Sequence, residues 1–357
     1  MNLSIEILQD SEMQAYDDYV DRHPDALFFH SLRYREFLAR ILGNNRALYI
    51  VAKQGENIVG VLPAFIQDLE GGRTIINSLP FYGSHGGLLL DDTVDKEQVA
   101  CALMNRLMEA AQEEKAISLT LIDNPFGAHK DFYTRYLKMD ATDQRIGQVT
   151  DLSISGGASI ADALMLKFHS KTRNMVRKAE KSGFTIEPGE GPDAFDTLYD
   201  IHVRNMEAIG GRAKPRLVFQ AIEDIFRYGK DYQIYFAKRD GKIAAGMLLF
   251  YYRQYCEYYT PVIEAEFRSD QPLSLLIFQA MQDAHARGCT QWNWGGTWLS
   301  QDGVYLFKKR WGADDKPYGY YSCIFDEDYI RRHGERIIDN TFFYVYPKPK
   351  AEERPAA

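Results

Sequence analysis

A chain of 357 residues, 45% hydrophobic and 26% charged, is long enough for two ordinary cores and carries none of the bias of a disordered or fibrous sequence. Its net charge of −8 repels polyanions on average, so contact with a nucleic acid or nucleotide needs a local basic patch. The four cysteines are widely separated, with no C-x-x-C pair and no histidine at metal spacing, and no apolar run approaches the roughly 20 residues of a membrane span. No metal site and no transmembrane segment are expected.

The chain begins Met1-Asn-Leu-Ser-Ile-Glu-Ile, alternating like a strand and lacking the basic start and apolar run of a secretory signal, so a cytoplasmic location is expected. Ser31 is placed to cap a helix carrying Tyr34, Phe37, Leu38 and Ile41 on one face. Residues 48–66 read as a β-hairpin around Gln-Gly-Glu-Asn. Leu79-Pro-Phe-Tyr-Gly-Ser-His-Gly-Gly-Leu follows, and its glycines permit close approach by a ligand or serve a structural turn. Residues 100–114 set Leu103, Leu107 and Ala110 on a helical face before the apolar run Ile117 to Ile122.

A boundary is expected near residue 150, before Ser155-Gly-Gly-Ala. Beyond it lies a helix with an apolar stripe of Leu164, Phe168, Met175 and Ala179 and a basic face of Lys167, Lys171, Arg173, Arg177, Lys178 and Lys181, with His169 among them. That face reads either as a solvated surface or as an anchor for phosphates. Pro215 opens a helix with Val218, Ile222 and Phe226. Residues 234–250 repeat the hairpin: Ala237-Lys238 matches Ala52-Lys53, Gly246 matches Gly60, and the second turn reads one residue longer. A helix over 273–287 presents Leu276, Ala280 and Ala284 before Gly288 and a strand from Gln291. The strand runs Trp-Asn-Trp-Gly-Gly-Thr-Trp. A helix capped by Asp302 then places Val304, Phe307 and Trp311 inward, with Lys308 beside them. The tail from Pro347 is proline-rich and charged.

The order of elements, two helices, a hairpin, a third strand, a helix and a closing strand, occurs twice. It resembles the Gcn5-related N-acetyltransferase (GNAT) fold. The fold class expected is α/β, a tandem duplication of that fold with mixed twisted sheets flanked by helices: residues 1–150, residues 151–325 and a C-terminal extension over 326–357. In that fold two central strands splay apart and leave a wedge where backbone N–H groups meet a carbonyl.

The run Gly303-x-Tyr305-x-Phe307-Lys308-x-x-Trp311-Gly312, with Lys171-Thr-Arg173-x-x-x-Arg177-Lys178-Ala179 upstream, resembles the FemAB family of peptidoglycan-branching aminoacyltransferases and their relatives in polysaccharide loci. The resemblance implies transfer of an aminoacyl group from aminoacyl-tRNA to the amine of a nucleotide- or lipid-linked sugar or peptide. It implies that Phe307 accommodates the donor end and that Lys308 stabilises developing negative charge. Trp294, Tyr305, Lys171, Arg173, Arg177 and Lys178 join them as candidate substrate contacts. It further implies an acceptor cleft with Tyr82, Ser84 and His85 on one wall. Arg212 or Arg204 corresponds to a phosphate-binding arginine of the family, while the basic residue that members binding a uridine-diphosphate precursor carry late in the first-half helix is absent, that stretch being Glu36-Phe37-Leu38. His202, Glu207, Glu257 and Asp302 are the residue types able to take a proton from the attacking amine.

The donor distinguishes the readings. Acetyl-CoA enzymes of this fold hold pyrophosphate in an R-x-x-G-x-G/A loop at a helix start. Here the second half has Arg268-Ser-Asp-Gln-Pro-Leu and the first Leu90-Asp-Asp-Thr-Val-Asp, with a proline or acids where phosphate needs N–H groups. No cofactor is expected, the donor substrate being aminoacyl-tRNA or acyl-CoA. An acyl-CoA- or carrier-dependent N-acyltransferase and a non-catalytic nucleotide-sugar-binding protein remain as alternatives.

Overall fold

The structure, a computed structural model, describes residues 3–81, 83–127, 129–154 and 159–339. It divides into two compact units, one running to Gln144 and joined by the chain from Tyr318, the other Arg145–Pro317. The Ser155-Gly-Gly-Ala boundary segment and the tail from Pro347 lie outside the described residues.

The first unit runs β1 (Leu3–Ile7), α1 (Met13–Arg22), α2 (Leu32–Ile41), β2 (Asn45–Gln54), β3 (Asn57–Leu69), β4 (Arg73–Ser78), β5 (Leu89–Leu90), α3 (Lys96–Glu113), β6 (Ala116–Ile122) and α4 (Lys130–Tyr136). Ser31 caps α2, its Oγ accepting from the Tyr34 N–H at 3.2 Å. Helix α3 buries Leu103, Leu107 and Ala110 in a core with Leu62, Ile76, Leu119 and Leu121. Each fully buried leucine of this kind contributes roughly 1.5–3 kcal/mol relative to exposure.

The second unit takes β7 (Ala141–Asp151) from Arg145 onward, then α5 (Ile160–Lys167), α6 (Ser170–Lys181), β8 (Thr185–Gly189), α7 (Gly191–Glu207), α8 (Arg216–Ile225), β9 (Tyr232–Arg239), β10 (Lys242–Tyr252), β11 (Tyr255–Ile263), α9 (Pro272–Ala286), β12 (Gln291–Trp298) and α10 (Asp302–Arg310). Its core gathers Phe168, Leu276, Ala280, Ala284, Trp292, Trp294 and Trp311. The chain continues through β13 (Ala313–Ile324) and α11 (Glu327–Asp339).

Strand pairing explains why the units do not divide at 150 and 325. β7 follows α4 of unit 1 but pairs antiparallel with β12, Thr150 opposite Trp292. β13 follows the last helix of unit 2 but pairs antiparallel with β6, from Tyr320↔Ile122 to Ile324↔Ser118. The strand after α4 thus closes unit 2, and the strand after α10 closes unit 1. Hydrogen bonding in the sheet therefore overrides proximity in sequence.

The repeated hairpins are more alike than their sequences imply. Both turns have two residues, Gly55-Glu56 and Asp240-Gly241, so the second is not longer. Both hairpins bulge one rung from the turn, at Val59 and at Ala244, which aligns Gly60 with Ala245 and not with Gly246. Positive φ at Gly55, and at both Asp240 and Gly241, suits the tight turns that match strand twist. Among the described residues, no helix is long and apolar enough to cross a membrane.

Candidate active site in the second unit

Two parallel strands that part from one another create the site. β11 and β12 share three rungs, Tyr255↔Gln291, Cys256↔Trp292 and Glu257↔Asn293. Past the third, β12 runs against β7, from Gly296↔Gly147 to Trp298↔Arg145, while β11 stays with β10. Both strands bulge at this fork. On β12 the shift lies between Asn293 and Gly296, where Gly295 takes a φ of 71°; on β11 the extra residue is Tyr259. In unit 1 the parallel pair β4 and β6 shifts once, between Thr74 and Ile75, and then stays paired to the final residue of β4, Ser78↔Leu121. The open wedge belongs to unit 2.

Around the fork runs a connected set of hydrogen bonds. The Asn293 amide donates to Glu257 Oε2 at 2.8 Å, and its Oδ1 accepts from the Gly295 N–H at 2.9 Å. The Lys308 ammonium, on α10, donates to the carbonyls of Gly295 and Gly296, both at 3.1 Å, and to Thr297 Oγ1 at 2.8 Å. Thr297 in turn donates to Gln148 Oε1 at 3.3 Å, and the Gln148 amide to the Tyr305 carbonyl at 3.2 Å. A carboxyl and an ammonium are thus tied to the same bulge. Because Trp292 and Trp294 lie in the core that α9 and α10 cover, Asn293 between them points to the opposite face.

Burial sets the charge of both groups. Glu257 lies in the interior with Oε1 unpartnered, and desolvation pushes its carboxyl up to about 8 despite the Asn293 bond. Lys308 is only 6% exposed and does not snorkel; desolvation brings its ammonium down to about 8. Groups that titrate near working pH are the usual equipment of proton transfer.

The helix that positions Lys308 differs in detail from its sequence reading. Gln301, not Asp302, is the N-cap, and Val304 is exposed, so the inward face begins one turn later with Phe307, Lys308 and Trp311. Phe307 packs edge-on against Trp294, centroids 5.9 Å apart. Trp294 is buried and donates through Nε1 to Thr150 Oγ1 at 2.9 Å, and the Tyr305 hydroxyl donates to Asp315 Oδ2 at 2.9 Å. Both serve the frame of the site.

The basic segment is two helices, broken at Phe168-His169, and buries Thr172 and Val176 where Met175 was expected. Arg173 turns inward, donating to the Phe168 carbonyl at 2.5 Å and the Met165 carbonyl at 3.4 Å at the end of α5. Lys167 pairs with Asp151 at 2.9 Å. Lys171, Arg177, Lys178 and Lys181 are exposed, and among the described residues none has a carboxylate within ion-pair distance; the last three border a shallow depression with Asn174 and Ser182. Replacing Arg173 with alanine therefore lowers thermal stability by about 1–3 kcal/mol and leaves phosphate affinity unchanged, as thermal unfolding and a binding titration would read.

The remaining candidates divide between the units. Tyr82 lies outside the described residues. Ser84 is buried against the Tyr34 hydroxyl. His85 is buried with Nδ1 3.1 Å from the Asp123 carbonyl and its ring against Phe29 and Tyr318; desolvation brings it down to about 4, so it is neutral. Both are interior groups of unit 1. Arg212 is exposed on the loop before α8, and Arg204 pairs with Glu264 at 2.5 Å. His202 accepts from the Lys214 N–H at 3.1 Å, and Glu207 and Asp302 are exposed. Of the four proton acceptors named from sequence, Glu257 alone stands at the fork.

Neither helix that would receive a pyrophosphate is free to do so. Asp95 caps α3, its Oδ1 accepting from the N–H groups of Glu97 and Gln98 at 3.1 Å each. At α9 a short 3-10 turn, Ala265–Asp270, leads to Gln271 at φ 64° and Pro272 in the first turn, and the Gln271 carbonyl takes the Ser274 N–H at 2.9 Å. Two N–H donors at the start of α3 and one at the start of α9, groups an anion would use, are already bonded within the chain.

The pattern of the family described as acetyltransferase (GNAT) domain matches residues 167–309, which span the wedge and both of its strands. The second unit thus matches a GNAT acyltransferase domain over most of its length. Solved structures share the two-unit fold of the acyltransferase almost end to end. FemX matches at 17% identity with a TM-score of 0.73, covering 92% of this chain and 99% of that one. A tandem GNAT protein from the clavulanic acid biosynthesis pathway matches at 13% and 0.53, covering 90% and 98%. The C-terminal domain of a putative lysylphosphatidylglycerol synthetase from Agrobacterium fabrum matches at 13% and 0.55, covering 94% and 99%. No curated protein matches the acyltransferase in sequence.

Proposed function

We propose that the acyltransferase forms an amide on an amine-bearing precursor of the cell wall or of a polysaccharide, taking the acyl group from aminoacyl-tRNA. The observation that carries the choice of donor is the bonded state of both helix starts, Asp95 on α3 and the Gln271 carbonyl on α9, which leaves a CoA pyrophosphate without its usual N–H cradle. The exposed cations of α6 and the FemAB-type Phe307-Lys308 motif agree with it, as does the likeness to a domain whose name describes a lysyl group on phosphatidylglycerol.

In this reading the amine attacks the ester carbonyl in the wedge. Glu257, as carboxylate, accepts the proton that the amine loses, and returns it to the ribose oxygen of the tRNA, which leaves with its electron pair as the ester C–O bond breaks. Lys308 holds the bulge through the Gly295 and Gly296 carbonyls and exchanges the Thr297 hydroxyl for the oxyanion as negative charge develops. Radiolabelled aminoacyl-tRNA and acyl-CoA, offered in parallel with amine-bearing precursors, test the donor. Transfer from the tRNA is expected; transfer from acyl-CoA alone overturns the reading.

The partner leaves a second signature. If α6 meets phosphates, log affinity for tRNA falls linearly with log salt, and Lys178→Ala reduces that slope by about 1 while weakening binding. An unchanged slope in the Lys178→Ala and Arg177→Ala proteins removes α6 from the donor surface.

A further inference from the structure

Lys214, on the loop between α7 and α8, takes no part in that mechanism. Its backbone N–H is fixed to His202 Nε2 at 3.1 Å, and its side chain lies along the arm of β11 beyond the fork. There Nζ stands 2.9 Å from Thr260 Oγ1, 3.5 Å from the Tyr259 carbonyl and 4.1 Å above the centre of the Tyr259 ring. Tyr259 is the bulged residue of the strand, and its own hydroxyl is buried without a partner. Among the described residues no carboxylate lies within ion-pair distance of Lys214.

A hydroxyl, a long carbonyl contact and an aromatic face are weak compensation for an ammonium taken from water. The titratable groups facing it from the packed elements do not hold its charge either. His202 on α7 is brought down to about 4 by burial, and the phenol of Tyr259 on β11 is pushed up, so both are neutral. Arg216, two residues on, turns to Asp196 and Asp200. Desolvation alone brings Lys214 down to about 7, half neutral at physiological pH. The residue is partly exposed, and the strand it touches is the one whose far edge opens as the wedge.

We propose that Lys214 is a nucleophilic lysine that takes acyl groups from activated esters, a self-acylation site beside the transfer site. The lone pair of Nζ forms the C–N bond to the acyl carbon, the acyl C–O bond breaks with its electron pair leaving on oxygen, and the proton lost from nitrogen passes to solvent. The product is an amide, which carries no charge and does not turn over.

The test needs no knowledge of the natural donor, so its failure leaves the tRNA reading standing and the reverse also holds. The full chain is treated with limiting p-nitrophenyl acetate between pH 6 and 9, and acetylated lysines are mapped by mass spectrometry. Lys214 is expected to be acetylated at least about tenfold faster than exposed Lys171 at pH 7, with its rate levelling off above that pH while Lys171 continues to rise toward the ordinary lysine range near 10.4. Absence of label on Lys214 while Lys171 reacts, or reaction at no more than the Lys171 rate, overturns the proposal.

Discussion

Lys308→Ala is expected to lower kcat by about 10²–10³-fold, the loss that follows removal of one donor from an oxyanion site. The same substitution leaves the Gly295 and Gly296 carbonyls without their ammonium, so some instability accompanies it, about 1–3 kcal/mol. Two further variants separate the roles. Lys308→Met keeps the stem packed beside Phe307 and Trp311 and loses the charge, and its activity falls as far as that of the alanine protein. Thr297→Val removes the neutral partner that the oxyanion displaces, together with the long bond to Gln148, and retains most activity. Normal turnover in Lys308→Met, with the fold intact by circular dichroism, removes Lys308 from the chemistry.

Glu257→Gln is expected to be slower by about 10²–10⁴-fold and yet more stable than the parent at neutral and mildly alkaline pH. The sign follows from linkage. With the folded value raised to about 8 and an unfolded value near the ordinary 4.3, the native state binds more protons than the unfolded one between those limits. Stability contributed by this site is therefore full below the unfolded value and is lost as pH rises toward 8. Glutamine retains the bond to Asn293 and has no such dependence. Thermal unfolding at pH 5 and pH 8 reads it directly: the melting temperature of the variant gains on the parent as pH rises. A gap that stays constant contradicts a buried, protonated Glu257.

Much of the fold was legible because it rests on local patterns. The stripes of α3 and α9, the Ser31 cap and both hairpins follow from spacing and turn chemistry, and each is where the sequence puts it. Strand exchange was not legible. Nothing in the residues of β7 or β13 states which helix-flanked strand they join, since pairing over more than a hundred positions is a property of the closed sheet. The hairpin alignment erred because it matched glycine to glycine, whereas strand register pairs Gly60 with Ala52 and Ala245 with Ala237.

The site divides the same way. Phe307 and Lys308 stand out as a motif, whereas Glu257 was one acid among four until the three-rung pairing of β11 with β12 placed it at the fork. Arg173 looked like its neighbours on the basic face, but the break at Phe168 turns it toward the end of α5. Lys214 sits in a glycine-rich loop with no periodicity to mark it, and only the contact with Thr260 discloses that it is inward.

The pH dependence of kcat/KM tests the paired roles of Glu257 and Lys308 most directly. Activity needs Glu257 ionised and Lys308 protonated, and both titrate near 8, so the profile should be a narrow bell centred close to that pH. Glu257→Gln should erase the rising limb, and Lys308→Arg, charged throughout, the falling one. A bell that keeps both limbs unchanged in both variants would place the acyl-transfer chemistry away from the fork of β11 and β12.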